Sequence, residues 1–582
     1  MVLTSRPSQP LHILDSRRLT GPGLLLDGPG AVLDVRVDED IRAEAVAAWE
    51  RFARRYLDAV GWPNEKLTTR SFTDGVSLAL TAPLDGLYAA TELNERAWAS
   101  ALAEIRGEKL PDFRAGVASL LEDAVSERNP AIVRLCREAK ARRLTFLMGE
   151  DLVSVGSGTG ALLWRLNEPP EPSEVDWSSA HEVPIALVTG SNGKTTVVRL
   201  LGAMLETAGK TPGLTSTDGV TVGRELLEEG DFAGPSGARM VLRHPQVETA
   251  VLETARGGIL RRGLPVDRAN VAVVTNIADD HLGEFGIETL PDLADTKLVV
   301  AKALGTAGTL VLNADDPLLV ERSRTVAARL AWFSLDPNSE LVARQIKAGA
   351  IVALLEDEAL VLWQGNNPTT LASLAEIPIT YRGVATHNVA NVLAAAAAGL
   401  ALGISPEAIG AAARRFGTGL DDNPGRANLM ELGGVRILLD FAHNPHGMSA
   451  LVKLARTIPA KRRLVLVGQA GDRSDEAIRA LARATLELAP DHVIVKDMEE
   501  YLRGRAPGEV PEILADEFFR LGLPEEALTR AERELAGVRW ALEWVRPGDL
   551  LVLAVHEDRR SVVSLLDRLA AMDWKAGEPL PV

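Results

Sequence analysis

The stretch VTGSNGKTTVVRL, residues 188–200, decides how the rest of the chain is read. Apolar IALVTG runs into a glycine turn and then into VVRLLGAMLETAG, whose apolar residues recur at helical spacing. Strand, glycine turn and helix together predict a phosphate-binding loop. Its glycines let backbone N–H groups converge on phosphate oxygens at the positive end of the helix. The Walker pattern of Gly, four residues, then Gly-Lys-Ser/Thr would place its first glycine at Val188. The chain offers a shorter form instead, Gly190-Ser191-Asn192-Gly193-Lys194-Thr195-Thr196. In it Lys194 is placed to neutralise terminal phosphate charge, and the Thr195 hydroxyl to ligate Mg²⁺. Loops of this kind serve ATPases, kinases, GTPases and ligases alike, so the surroundings must choose.

The bulk composition narrows the choice. A chain of 582 residues, 46% hydrophobic, has material for several packed domains. Nucleic-acid binders usually carry a basic face, and the net charge of −17, from 63 basic and 80 acidic residues, demands none. No uncharged apolar run reaches about 18 residues, so no membrane span is expected. The most apolar stretch, Val389 to Leu402, is mostly alanine and suits a buried helix. The opening MVLTSRPSQPLHILDSRR lacks the apolar centre of a signal peptide. Cys136 is the only cysteine, which excludes disulfides within the chain and thiolate metal clusters and fits a reducing cytoplasm.

Periodicity divides the chain into α/β blocks. Residues 1–128 mix strand-like LHILDSRRL and AVLDVRV with the amphipathic RAEAVAAWERFARRYLDAV, predicting an N-terminal α+β domain. Residues 129–165 read helix, strand and the turn VGSGTG, and 167–184, NEPPEPSEVDWSSAHEVP, has linker composition. VGSGTGA also fits the loose dinucleotide pattern Gly-x-Gly-x-x-Ala, but no ribose-binding acid stands at the right place after it. Residues 185–422 repeat strand–turn–helix, with AVLET, VAVVTNI and GTLVLNAD nearly all apolar, predicting a central P-loop-type parallel-sheet ATPase domain. Residues 423–582 alternate RILLDFAH, RRLVLVG, HVIVKD and DLLVLAV with helices, predicting a Rossmann-like C-terminal domain.

Four further stretches follow the loop in order: VLETARGG, TNIADDHLG, THNVANVLAAAAA, and PGRANL leading into LLDFAHNPHG. With the short loop they make residues 185–582 resemble the Mur ligase superfamily of ATP-dependent amide-forming enzymes. The resemblance implies that Glu253 is the Mg²⁺-binding glutamate and His281 the metal-site histidine. It implies that His387, Asn388 and Asn391 lie beside the adenine, and that Arg426, Asp440, His443 and Asn444 reach the nucleotide from the third domain. Lys297, in LADTKLVV, aligns with the lysine that many members carbamylate to steady a second metal; a solvent-facing helical lysine is the other reading. Asn388 and Asn391, three residues apart, also fit a helix cap and a surface position. Lys194, His281 and Lys297 form the expected catalytic set.

A narrower resemblance lies in LTSTDGV at 214–220, GPSGAR at 234–239, VLETARGGILRRGL at 251–264, GDRSDE at 471–476, LRGRAPGEV at 502–510 and RRLTGPG at 17–23. These look like the cyanophycin synthetases, which build an aspartate backbone bearing arginine on each β-carboxylate. That family places a whole ATP-grasp domain before its phosphate loop, whereas residues 129–184 have room for a vestigial entrance and a linker. The backbone-extending reaction is therefore expected to be absent and the side reaction kept. The expectation is an ATP- and Mg²⁺-dependent carboxylate–amine ligase joining a basic amino acid to the β-carboxylate of aspartate or a similar small dicarboxylate. In VIVKDMEEYLRGRAPGE, Asp497, Glu499 and Glu500 are candidates for a cationic side chain, and Arg503 and Arg505 for a carboxylate. Small molecules are the expected partners, with assembly as a homo-oligomer, a dimer or tetramer. The competing readings are a subunit acting with an ATP-grasp partner on a polymer, a non-catalytic Mur-like scaffold, and a simple ATPase or kinase.

Overall fold

In the computed structural model, residues 12–279, 282–419 and 422–581 are described. The strand Ile185–Thr189 is buried at every position and lies between Thr249–Glu253 and Ala269–Val274, both parallel to it. Covered on both faces, these strands have no polar side to present, which is why each reads as an unbroken apolar run. Among the described residues they centre an eleven-stranded sheet. Its pairings are parallel from Pro212–Ser216 through Ile351–Glu356 and antiparallel at both edges.

The helix Lys194–Thr207 follows the first of these strands and buries Val197, Leu200, Leu201 and Met204. It packs against the helix Thr386–Ala401, the alanine-rich run expected to be buried. Ala394 to Ala398 are wholly shielded, and their small side chains let this helix settle closely on the sheet.

The C-terminal sheet orders its strands Asn428–Leu432, Val435–Asp440, Leu550–Ala554, Arg463–Val467, His492–Lys496 and Leu528–Ala531. All neighbours are parallel except the first pair. In open sheets of this type ligands collect at the carboxyl ends of the strands. Here the loop after Asp440 meets the phosphate loop through Asn444 and His446.

At the N-terminus, Ile13–Leu19, Gly30–Arg36, Gly75–Thr81 and Leu67–Phe72 form an antiparallel sheet in that order. The helices Glu39–Ala59 and Leu87–Ile105 cover it, burying Trp49, Tyr56 and Trp98, as an α+β unit requires. The buried Trp49 indole donates to Asn94 Oδ1 at 2.8 Å, so its N–H is not left unpaired.

Between these parts, the helix Pro130–Ala141 packs on a three-stranded antiparallel sheet, Phe146–Met148, Leu152–Val155 and Leu162–Arg165. VGSGTGA joins two of those antiparallel strands rather than a strand and an α-helix, so it builds no dinucleotide loop. Residues 167–184 form neither helix nor strand, yet they are held: Glu182 accepts from Thr145 N at 2.5 Å and from Ser157 Oγ at 2.9 Å. Among the described residues no helix is long and apolar enough to cross a membrane.

Candidate active site

The phosphate loop begins where the strand Ile185–Thr189 ends. Gly190 has φ +143° and Gly193 φ +86°, and the helix starts at Lys194. A Cβ on Gly190 would stand 1.8 Å from Thr275 Oγ1, and one on Gly193 would stand 2.2 Å from Asn391 Oδ1. Backbone and space both demand glycine at these two positions. The turn is tied to the neighbouring strand end: Ser191 N donates to Asn276 O at 2.9 Å, and Thr275 Oγ1 to Asn192 O at 2.6 Å. So braced, the loop presents the first-turn N–H groups of the helix, which have no intrahelical acceptor, as an anion cradle. Gly193→Ala is expected to cost about 2 kcal/mol from strain alone. It should also weaken ADP binding, and thermal melting with ADP titration reads both effects.

Lys194 Nζ donates to Ser191 O at 3.1 Å, folding back over the loop. Behind it Thr195 Oγ1 donates to Glu253 Oε2 at 2.9 Å. Glu253 is 1% exposed, and its Oε1 has no hydrogen-bond partner among the described residues. Burial raises the Glu253 carboxyl above its ordinary range, opposed by Lys194 and by the Thr195 hydroxyl. A shielded carboxylate oxygen with free lone pairs beside a hydroxyl suits a hard, oxygen-seeking cation, so Thr195 and Glu253 fit Mg²⁺. His281 lies outside the described residues.

Lys297 is 2% exposed and donates to Gly190 O at 2.9 Å from behind the loop, which overturns the reading of a solvent-facing helical lysine. Asn388 and Asn391 are buried too, not at the surface. Asn388 Nδ2 donates to Ile379 O at 3.0 Å and Asn391 Nδ2 to Asn388 Oδ1 at 3.1 Å, a chain that ends against Gly193. Thr196 Oγ1 accepts from Asn423 at 3.3 Å.

His387 lines a cavity beside the phosphate loop, where burial and then His446 pull its imidazole down to about 4. A histidine kept neutral in the fold but free to charge in the unfolded chain adds stability that is complete above 6.5 and lost as pH falls toward 4. His387→Gln is therefore expected to flatten the acid-side decline in stability by about 3 kcal/mol at most. Denaturant titrations at pH 7 and pH 4 check this.

The C-terminal unit closes on the loop directly. Asn444 Nδ2 donates to Asn192 Oδ1 at 3.0 Å, and His446 Nδ1 lies 3.1 Å from Asn192 Nδ2. Arg426 lies 4.2 Å over the Phe441 ring and donates to Thr217 Oγ1 at 3.3 Å. Asp440 accepts from Ala427 N at 2.6 Å, and burial pushes its carboxyl up to about 6 against the pull of Arg426. His443 Nδ1 sits 3.2 Å from Phe441 O.

Sequence reasoning missed Thr217, Asn276, His446 and Asp218. Asp218 gathers Arg199 at 2.8 Å, Arg559 at 2.5 Å and Arg426 at 3.9 Å across the two α/β units. Both LTSTDGV and HNPHG contain missed residues, but nothing local marks which side chain in them turns inward.

The residues expected to select the amine are corrected in part. Asp497 is consumed by its own loop, accepting from Gly508 N at 2.6 Å and from Met498 N at 3.1 Å. Arg505 donates to Gly471 O at 2.9 Å and Arg473 O at 2.8 Å and pairs with Asp475. Loops crossing between strand ends have backbone polar groups to satisfy, and here Asp497 takes N–H groups and Arg505 takes carbonyls. Glu499 pairs with Arg533 outside the cleft, and the Glu500 backbone N–H donates to Glu557. Arg503 does line the cleft, paired with Asp472.

Two cavities result. One, of about 340 Å³, runs from the loop past His387 to Asp440. The other, of about 660 Å³, opens between all three units, from Ser16 through Arg261 to Tyr501. Lys194, Thr217, Phe441 and His443 line both.

This fold and site define a phosphate-loop α/β protein with a second α/β unit closed over the loop. Residues 188–399 match the Mur ligase middle domain and 425–554 the Mur ligase glutamate ligase domain. The chain belongs to the Mur ligase family. It is 41% identical over 332 residues to the cyanophycin synthetase of Trichormus variabilis, covering 57% of this chain and 37% of that protein. It is 37% identical over 403 residues to the cyanophycin synthetase of Crocosphaera subtropica, covering 69% of this chain and 44% of that protein. The chain thus spans less than half the length of these relatives. A solved structure of E. coli FolC in complex with DHPP and ADP aligns with a TM-score of 0.49 at 19% identity, covering 66% of this chain and 89% of that one.

Proposed function

We propose that this chain is an ATP-dependent amide ligase that activates a carboxylate as an acyl phosphate and joins it to the amine of an amino acid. The observation that carries this reading is the position of Lys194, which lines both the 340 Å³ cavity at the loop and the 660 Å³ chamber beside it. A carboxylate is inert toward amines because oxide is a poor leaving group. With a triphosphate on the loop and an acid in the chamber, the carboxylate oxygen attacks the γ-phosphorus. The bond to the β,γ-bridging oxygen breaks, and ADP leaves. The amine nitrogen then attacks the acyl carbon, phosphate departs, and the nitrogen loses its proton. Several negative charges meet in the first step, and Lys194 neutralises part of them in place. Thr195 and Glu253 would hold Mg²⁺, which supplies further charge neutralisation when bound. The contacts of Asn444 and His446 to Asn192 close the C-terminal unit over the loop and shield the acyl phosphate from water.

For the substrate pair, the reading is a basic amino acid joined to the β-carboxylate of aspartate or a similar acid. The identity with cyanophycin synthetases supports it. So does Asp231, which lines the chamber near Tyr501 and, after burial, helps to push that hydroxyl up. A carboxylate there would face a cationic side chain.

The test is incubation with ATP, Mg²⁺ and a panel of amino acids and dicarboxylates, read by mass spectrometry. The expected product weighs one water less than its two parents together and appears with one phosphate and one ADP. A stable phosphorylated product, or phosphate release with no condensed compound, overturns the reading.

A further inference from the structure

The chamber is walled on one side by the N-terminal unit. The edge strand Ile13–Leu19 and the turn after it are sewn along the helix Arg256–Arg262. Arg17 Nε donates to Leu260 O at 2.8 Å, Thr20 N to Arg262 O at 2.9 Å, and Leu264 N to Pro22 O at 2.6 Å. From the far side of that sheet, Arg70 reaches Gly286 O at 2.8 Å and Asp292 at 2.6 Å. Two connected lengths of the central unit, the helix and the loop through Phe285, are thereby clamped by the N-terminal sheet, and both face the chamber.

The charges at this end are unevenly spent. Arg17 is buried, with Asp15 and Asp34 each at 2.6 Å, and its guanidinium lies 4.9 Å over the Phe285 ring. Arg256 pairs with Glu284. Arg261 and Arg262 are exposed to the chamber, and neither has a carboxylate within ion-pair distance among the described residues. The Arg261 guanidinium stands 5.6 Å from the centre of the same Phe285 ring. In a chain of net charge −17, a walled cleft keeping two uncompensated guanidinium groups focuses a positive potential at that spot. Gly257 lines the chamber one turn earlier and has open space before it, with nothing within 4 Å of a built Cβ. A cavity of about 660 Å³ falls in the range that encloses a ligand larger than one amino acid.

We infer that the N-terminal unit completes the binding site of the acid substrate, and that Arg261 and Arg262, braced by the Ile13–Leu19 strand, hold a second carboxylate of a peptide-like acid whose reacting carboxylate lies at Lys194. This rests on the ligase reading for the role of Lys194. The anion end stands on its own geometry. Guanidinium groups suit the task because their forked donors match a carboxylate in two places.

The experiment uses the full chain with a non-hydrolysable ATP analogue, Mg²⁺ and two probes, acetyl-Asn-Asn-Asp and its C-terminal amide, titrated by calorimetry at low salt. The probes share the β-carboxylate and differ only in the second one. The free acid is expected to bind about tenfold more tightly than the amide, the scale of one charge-assisted contact. Arg261→Ala should bring the ratio near one by weakening the free acid alone, and Arg261→Lys should retain part of it. Ser16→Glu, an exposed change on the N-terminal wall, should also reduce the ratio while leaving binding of the ATP analogue unchanged. A ratio near one in the unaltered protein, or a ratio that survives both Arg261→Ala and Ser16→Glu, overturns the inference. Condensation with either probe is scored separately, with ATP and a panel of amines. Product formed without a binding ratio sinks the anion end and leaves the ligase reading intact. A binding ratio without any product supports the anion end and counts against the ligase reading.

Discussion

Lys194→Ala is expected to slow amide formation by roughly a thousandfold, about 4 kcal/mol of barrier, while the fold melts at an unchanged temperature. The reason is its place at the junction of the two cavities. Phosphoryl transfer to a carboxylate brings an anion against a triphosphate, and the ammonium is a fixed positive charge where they meet. Alanine leaves that repulsion uncompensated. Stability should not follow, because the side chain is half-buried and its one hydrogen bond, to Ser191 O at 3.1 Å, is made to the loop itself. The rate of appearance of the condensed product, set beside a melting curve, separates chemistry from folding. Near-normal turnover would refute the assignment.

For Glu253→Gln, the largest effect should fall on the metal. The apparent Mg²⁺ affinity is expected to drop about 10- to 100-fold, since the amide keeps the shape and loses the charge. The same change should not harm the metal-free protein. Glu253 is buried with Oε1 unpaired, and burial raises its carboxyl above the ordinary value. An acid whose folded value is raised holds its proton more tightly in the fold than in the unfolded chain. Its contribution to stability is complete below the unfolded value and is lost as pH rises through the folded one. Glutamine removes that loss, so metal-free Glu253→Gln should match or exceed the parent in melting temperature at pH 8, with the difference shrinking toward pH 4. Melting scans with and without Mg²⁺ at both pH values check the pair of statements. A Mg²⁺-induced shift equal in the two proteins would remove Glu253 from the metal site.

Much of the fold was legible because its signals are local. Ile185–Thr189, Thr249–Glu253 and Ala269–Val274 are apolar without interruption because both faces of a parallel strand are covered, and no tertiary knowledge is needed to see that. The alanine run within Thr386–Ala401 told of burial for a similar reason. Residues 167–184 were harder. Proline and glutamate gave them the composition of a linker, yet Glu182 spends its oxygens on Thr145 and Ser157, a bond to a segment whose approach no local pattern announces.

The site divides along the same line. Gly190 to Thr196 form one turn and the start of one helix, so their geometry is written within seven consecutive residues. Lys297 lies 107 residues from Gly190, and from sequence a solvent-facing helical lysine stood beside the carbamylated one that the resemblance implies. Asp497 and Arg505 carried the right charges for a substrate, but Asp497 went to N–H groups of its own loop and Arg505 to carbonyls of the neighbouring loop at Gly471 and Arg473.

What the amino-acid sequence alone determined, then, is the class of sheet, the position of the phosphate loop and the glycines that loop must have. Backbone torsion and side-chain periodicity act over a few residues and leave their mark there. The tertiary structure alone decided that Asn192 meets Asn444 and His446, that Asp218 gathers three arginines, and that Ser16 and Arg261 share one chamber. Those meetings depend on how separate units dock, where the energy comes from surfaces hundreds of residues apart that no short window contains.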